Sequence, residues 1–298
     1  MTLSLDSPHD DAAALAYVER FAASADRVET RSEVGAMVWH RWGDPGRPLV
    51  LLHGGSGSWT HWIHTIPWFM NERTVIAADL PGMGDSPDPP EPYTADSLAE
   101  LVARALEQLV DAEVAVDLVG FSFGGIVAGH LAANFAERVR RLVVVGSPPF
   151  GMGSDGPAND VRAVDPLLDF DAAREQHRHN LQLLMMADPG SVDPLALRIH
   201  HDNLRRSRLG SRKVARAGTL EGALRRVACP LYGIWGEEDV MAYPDLASIR
   251  ELFTSPGVAG REVQNFDVLP GVGHWAAYES PDEFNRLLER RLNEPLTS

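Results

Sequence analysis

Along the chain, apolar residues follow two rhythms: short unbroken runs, and longer stretches where they recur every three or four positions. The runs are "AMVWHR" (36–41), "PLVLLHG" (48–54), "TVIAADL" (74–80), "AVDLVG" (115–120), "RLVVVG" (141–146), "PLYGIWG" (230–236) and "REVQNFDVL" (261–269). Those from Pro48 onward are near-continuously apolar, as strands covered by helices on both faces require. Helical spacing marks 12–23 (Leu15, Val18, Phe21), 95–110, 123–135 and 281–292. The alternation predicts an α/β fold with a mostly parallel central sheet flanked by helices.

The alternation stops between about Pro148 and Leu224. "GSPPFGMGSDGP" (146–157) reads as a loop or hinge, and the stretch beyond it has helical periodicity without a strand. Strand-like runs resume at Pro230. The expected organisation is a core in two parts, 25–147 and 225–294, interrupted by a helical insertion over 148–224. The insertion leaves from the carboxyl end of a strand, the edge where open α/β sheets bind ligands.

Composition narrows the functions available. A formal charge of -15 disfavours nucleic acid and anionic membrane surfaces as partners. The single cysteine, Cys229, excludes a disulfide within the chain. With no basic start, no h-region and no run long enough to span a bilayer, the expectation is a cytoplasmic protein acting on a small molecule. A homodimer is compatible with this reading.

Candidate chemistry centres on "GFSFGG" (120–125), between the run ending at Gly120 and the helical stretch from Phe123. A serine hydroxyl becomes a useful nucleophile only when a base takes its proton and donors face the oxyanion it creates. Gly120 and Gly124 remove the side chains that would clash across a tight strand-to-helix turn, so Ser122 fits the G-x-S-x-G nucleophile elbow.

Of the eleven histidines, only His274 lies in a glycine-rich loop, "PGVGHW", directly after the last expected strand. The acid that would orient it is expected after the strand at 230–236: Asp239 in "GEEDV", with Glu238 the alternative. The end of the strand before the insertion reads "GSPP" and offers none. The chain order is then Ser122, Asp239, His274. "LLHGGSGSW" (51–59) puts bare backbone at the end of an early strand. The oxyanion donors are expected at the N–H groups of Gly55 and Phe123, with Ser56 the alternative to Gly55. No metal-ligand spacing such as HExxH occurs, so neither metal nor cofactor is expected.

The motifs "LLHGG", "ADLPGMGDS", "GFSFGG", "IWGEED" and "GVGHW", in this order, give the chain a resemblance from about residue 36 to 292 to the α/β-hydrolase superfamily. The resemblance implies an eight-stranded core sheet with a helical lid inserted after the sixth strand. Asp79, Gly82 and Ser86 of "DLPGMGDS" read as architectural. "GVGHW" and "ESPDEFNRLL" are similar to the branch holding carboxylesterases and the meta-cleavage-product hydrolases, which break a carbon–carbon bond beside a ketone. The latter usually carry "HGGGPGA" and an asparagine before the serine, where this chain has "HGGSGSW" and Phe121.

The expected activity is therefore a serine hydrolase cleaving small acyl or aryl carboxylic esters through an acyl-enzyme. Carbon–carbon hydrolysis of a 2-hydroxy-6-oxo-dienoate is the alternative, and a slow or non-catalytic ligand receptor on the same fold is a second. Substrate contacts are expected from Phe121, Phe150, Trp275 and, in "PLALRIHHDN", Arg198. The insertion balances ten basic against ten acidic residues. Its run "NLRRSRLGSRKVARAG" reads as a face pairing with the acidic body.

Overall fold

The computed structural model describes residues 8–32, 35–43, 46–153, 160–165, 167–254 and 265–295. After helix α1 (Asp11–Ala23), eight strands build one sheet: β1 (Asp26–Ser32), β2 (Gly35–Trp42), β3 (Leu49–Leu52), β4 (Val75–Ala78), β5 (Val116–Phe121), β6 (Val139–Val145), β7 (Leu231–Gly236) and β8 (Phe266–Leu269). Their spatial order is β1-β2-β4-β3-β5-β6-β7-β8. β2 runs antiparallel to both β1 and β4, and the pairs from β4 to β8 are parallel.

Each expected strand is present. Part of the last expected run, 261–264, lies outside the described residues. β1 escaped the pattern because "DRVETRS" sits at a sheet edge and keeps most of its side chains in water. Its inward Thr30 is buried and accepts the Trp39 indole N–H at 2.9 Å. Charge on such an edge discourages pairing with another chain.

The period-2 geometry of strands divides the core into two layers. Val50, Leu52, Ile76 and Leu118 face one side, against α3 (Ala95–Leu106) and α4 (Phe123–Asn134). Leu49, Leu51, Val75 and Val119 face the other, against α1 and Phe284 and Leu288 of the last helix. The short α2 (Ile66–Phe69) precedes β4, and α3 begins at a Thr94–Ser97 capping box. Asp79, at the end of β4, accepts from the backbone N–H of Trp59 (3.1 Å) and Asp85 (3.0 Å). It is held below the usual carboxylate range: burial works against ionisation, and His40, His53 and the Asp85 N–H outweigh it.

Between β6 and β7 come α5 (Phe170–Leu184), α6 (Pro194–Arg205), α7 (Ser211–Arg216) and α8 (Leu220–Leu224), with no strand among the described residues there. Asp169 and Asp193 cap α5 and α6 by accepting N–H groups of Ala172 and Ala196. This segment is fastened to the sheet's loops. Buried Asn203 accepts from Ser58 Oγ at 2.7 Å and donates to Thr60 Oγ1 at 3.0 Å. Arg206 pairs with Asp85 (2.9 Å) and Arg208 with Asp88 (2.7 Å). The Gly82 carbonyl accepts the N–H groups of Arg208 and Leu209. Part of the basic run thus meets acids of the body.

After β7 the chain adds α9 (Leu246–Thr254), and after β8 it closes with α10 (Ala276–Glu279) and α11 (Pro281–Asn293). Among the described residues no helix is long and apolar enough to cross a membrane.

Candidate active site

β5 ends at Phe121 and α4 begins at Phe123, so Ser122 alone makes the turn. Its backbone is left-handed, with φ of 49° and ψ of -115°, a conformation costing a non-glycine residue about 1–3 kcal/mol. The glycines make the turn sterically possible. A Cβ on Gly120 would lie 2.5 Å from the Gly124 carbonyl oxygen, and one on Gly124 would lie 2.3 Å from that of Leu52. The Ser122 N–H donates to Val145 at 2.8 Å, which ties the turn to β6.

Ser122 Oγ is 3.0 Å from His274 Nε2. His274 Nδ1 lies 2.9 Å from each carboxylate oxygen of Asp239. A carboxylate can only accept, so Nδ1 carries the ring proton and Nε2 of the neutral ring is free to accept from the serine hydroxyl. Asp239 Oδ1 also accepts the Met241 N–H at 2.8 Å, which fixes the carboxylate in plane. Glu238, the alternative acid, is exposed and makes no hydrogen bond to His274 among the described residues. The three expected residues come together from three loops at the carboxyl edge of the sheet: after β5, after β7 and after β8.

The loop after β3 approaches the serine from the other side. Among the described residues, no acceptor in the protein takes the N–H of Gly55 or of Phe123. His53 braces this loop. Its Nε2 accepts the Leu80 N–H at 2.9 Å, and Nδ1 therefore donates to the Gly54 carbonyl at 2.7 Å. Burial lowers its pKa, which keeps the ring in this neutral form. Ser56 is left-handed, with φ of 49°, and hydrogen-bonds Ser207 Oγ at 3.2 Å. It and Ser122 are the only non-glycine residues with positive φ among the described residues.

A cavity of about 340 Å³ opens over Ser122, and His274, Gly55, Ser56, Phe121 and Phe123 also line it. Much of its wall is apolar, including Leu184, Met185 and Met241, with polar positions at His61, Asn180, His200 and Ser211 and with Arg162 and Arg212 also on its wall. Its size and lining suit a small ligand.

Three expected substrate contacts do not reach this cavity. Arg198 turns along α6 to pair with Asp202 at 2.7 Å, over the Phe170 ring. Trp275 is 1% exposed and donates its indole N–H to the His61 carbonyl, so it supports the wall from behind. Phe150 packs against the core near Gly218.

Conversely, His61 and His200 reach the cavity without having stood out in the sequence. The Gly54 N–H donates to His61 Nδ1 at 3.2 Å, leaving Nε2 as a donor in the neutral ring. Burial, followed by His53, His200 and His274, holds His61 well below its ordinary pKa. Burial, then His177 and His201, pushes His200 down to about 3. Both the His200 and His201 rings lie 5.1 Å from that of His177; His200 lines the cavity, and His201 shares a 3.0 Å hydrogen bond with His177. Such histidines look like any others in a helical pattern. The one available signal is His61's place just after the glycine loop. Among the described residues no cluster of His, Cys, Asp or Glu could hold a metal ion.

A family model described as "Alpha/beta hydrolase family" matches residues 49–287. The dihydrolipoyllysine-residue acetyltransferase component of the acetoin cleaving system of Pseudomonas putida is 30% identical over 305 residues, covering 91% of this chain and 74% of that protein. A 2-hydroxy-6-oxononadienedioate/2-hydroxy-6-oxononatrienedioate hydrolase of Escherichia coli O139:H28 is 28% identical over 94% of this chain and all of its own length. Among solved structures, a meta-cleavage product hydrolase from Pseudomonas fluorescens IP01 superposes with a TM-score of 0.70 at 24% identity, over 89% of this chain and 97% of that one. That superposition speaks to the fold.

Proposed function

The chain belongs to the alpha/beta hydrolase family, and on that footing we propose that it is a serine hydrolase of small acyl or aryl carboxylic esters. The observation that carries this reading is the hydrogen-bonded line from Ser122 through His274 to Asp239, opening into the cavity.

In the first half-reaction Ser122 Oγ attacks the ester carbonyl while His274 Nε2 takes its proton. Asp239 holds the tautomer that accepts there and stabilises the imidazolium that results. The N–H groups of Gly55 and Phe123, with no other acceptor among the described residues, receive the negative oxygen. Collapse breaks the ester bond, and the alcohol leaves with the proton from His274. In the second half-reaction His274 takes a proton from water, whose oxygen attacks the acyl-enzyme. The carboxylate product departs and Ser122 recovers its proton.

The helices α5–α8 act in this reading as a cap over the site, dividing the core into 25–147 and 225–294 around 148–224. Carbon–carbon hydrolysis is the second reading, favoured by the name of the Escherichia coli relative. Phe121 on the cavity wall speaks for the ester, since its apolar ring offers no hydrogen bond to a dienoate's enol or ketone oxygens.

Turnover of p-nitrophenyl acetate by the protein and by Ser122→Ala tests the proposal: loss of turnover in the variant is expected. Equal rates would leave a binding protein on a hydrolase fold. A panel of short esters against one 2-hydroxy-6-oxo-dienoate separates the two chemistries.

A further inference from the structure

Ser211 opens α7, in the helical segment between β6 and β7, and yet it lines the cavity over Ser122. A Cβ placed on Gly55 would lie 2.5 Å from Ser211 Oγ, 3.2 Å from Ser211 Cβ and 3.7 Å from Phe123 Cβ. The bare face of Gly55 therefore looks into the space between the Ser211 hydroxyl and Phe123. Gly55 and Phe123, whose N–H groups have no acceptor among the described residues, both line this cavity. The Ser211 hydroxyl has no hydrogen-bond partner among the described residues.

The stretch leading to Ser211 is held in place. Ser207 Oγ bonds Ser56 Oγ at 3.2 Å, and the Arg208 and Leu209 N–H groups donate to the Gly82 carbonyl. Arg206 and Arg208 pair with Asp85 and Asp88, and the Gly210 N–H donates to Tyr93 Oη at 3.2 Å. Each anchor belongs to the body of the fold rather than to the inserted helices. A hydroxyl so fixed spends little reorganisation when charge develops beside it, which is the condition for electrostatic stabilisation of a transition state.

We infer that Ser211 is a third hydrogen-bond donor to the oxyanion formed at Ser122, so that the inserted helices complete the catalytic constellation. This inference rests on the assignment of Ser122 as nucleophile and of Gly55 and Phe123 as oxyanion donors. It gives Gly55 a second requirement: any side chain there would occupy the place of the Ser211 hydroxyl.

The test is steady-state hydrolysis of p-nitrophenyl acetate by the intact protein, Ser211→Ala and Ser122→Ala, with Arg216→Ala as an exposed control on the same helix. Ser211→Ala is expected to lose roughly 10- to 100-fold in kcat, the loss of one hydrogen bond to a charged oxygen, with KM within about twofold. Affinity for an aryl trifluoromethyl ketone, which adds to the serine and forms the oxyanion, is expected to fall by the same factor. Affinity for a matching amide, which does not add, stays unchanged. An unchanged kcat overturns the inference, as does a rise in KM alone or equal weakening of ketone and amide. If Ser122→Ala keeps full turnover, the serine-hydrolase reading itself fails. If Ser122→Ala is inactive and Ser211→Ala is indistinguishable from the parent, only the role of Ser211 fails.

Discussion

Ser147 Oγ donates to the Ser122 carbonyl at 2.5 Å and stands where a side chain on Gly125 would have to be, 1.8 Å from a Cβ built there. The turn at Ser122 is thus clamped from the loop after β6 by a hydroxyl that only a glycine at 125 admits. Gly125→Ala is expected to destabilise by about 1–3 kcal/mol through overpacking. Ser147→Ala is expected to cost about 1 kcal/mol, the ordinary worth of one hydrogen bond, because the Ser122 carbonyl keeps the Gly125 N–H at 3.0 Å. In Gly125→Ala/Ser147→Gly the closest contact is gone and the Gly120 carbonyl oxygen at 2.9 Å remains, so the double variant should be more stable than Gly125→Ala alone. Urea midpoints of the parent and these variants, with Ser147→Gly added to close the cycle, give the coupling directly.

Asp239 and Glu238 are adjacent acids in very different surroundings. Asp239→Asn is expected to lower kcat by roughly 10³- to 10⁴-fold, since an amide would hold the wrong histidine tautomer. Glu238→Gln, at an exposed position, is expected to leave kcat within about twofold. Comparable losses in both variants would show that the relay read from the 2.9 Å contacts is not the one used.

Arg198 is committed to Asp202 and to the Phe170 ring, so Arg198→Ala should leave KM unchanged for neutral and carboxylate-bearing esters alike. Its stability cost should be small, about 0.3–0.5 kcal/mol for the i,i+4 pair. Arg212, like Arg162, stands on the cavity wall with no ion pair among the described residues, and its removal should raise KM selectively for an ester carrying a carboxylate. A KM that responds to Arg198 and not to Arg212 would reverse this assignment.

Acid should loosen the inserted helices. Burial, then His201, pushes His177 from 6.5 down to about 4, and His200 lies lower still, at about 3. Below pH 6.5 the unfolded chain takes up protons that the folded rings refuse, so the unfolded state binds more protons and stability declines as pH falls. For His177 the decline runs from about pH 6.5 to about 4. The urea midpoint should fall between about pH 7 and about pH 4.5, and His177→Gln should fall less over the same interval. Parallel slopes would remove this pair as a source of acid sensitivity.

The sheet was largely legible because strands covered on both faces cannot hide their composition: "VLL", "VIAA" and "LVVV" have no other stable home. β1 had no such signature, since its side chains answer mostly to water. Ser122, Asp239 and His274 could be singled out because each sits in a loop whose glycines or strand context leave few alternatives. Of the cavity wall, Phe121 was legible and the other expected positions were not. Whether Arg198 or Arg212 faces the cavity depends on how α6 and α7 are rotated against the body, and that rotation is set by buried partners such as Asn203, Ser58 and Thr60, far apart in the chain. A place directly after His274 points Trp275 toward the pocket, yet its indole N–H finds a backbone carbonyl and turns inward.

The left-handed backbone at Ser122 carries one more implication. Glycine would relieve it, so Ser122→Gly removes both the strain and the proposed nucleophile. On the proposed reading, a screen for heat resistance alone would be rewarded for that exchange and would return a sturdier, inert protein; thermostabilisation of this chain then has to hold position 122 fixed and look elsewhere.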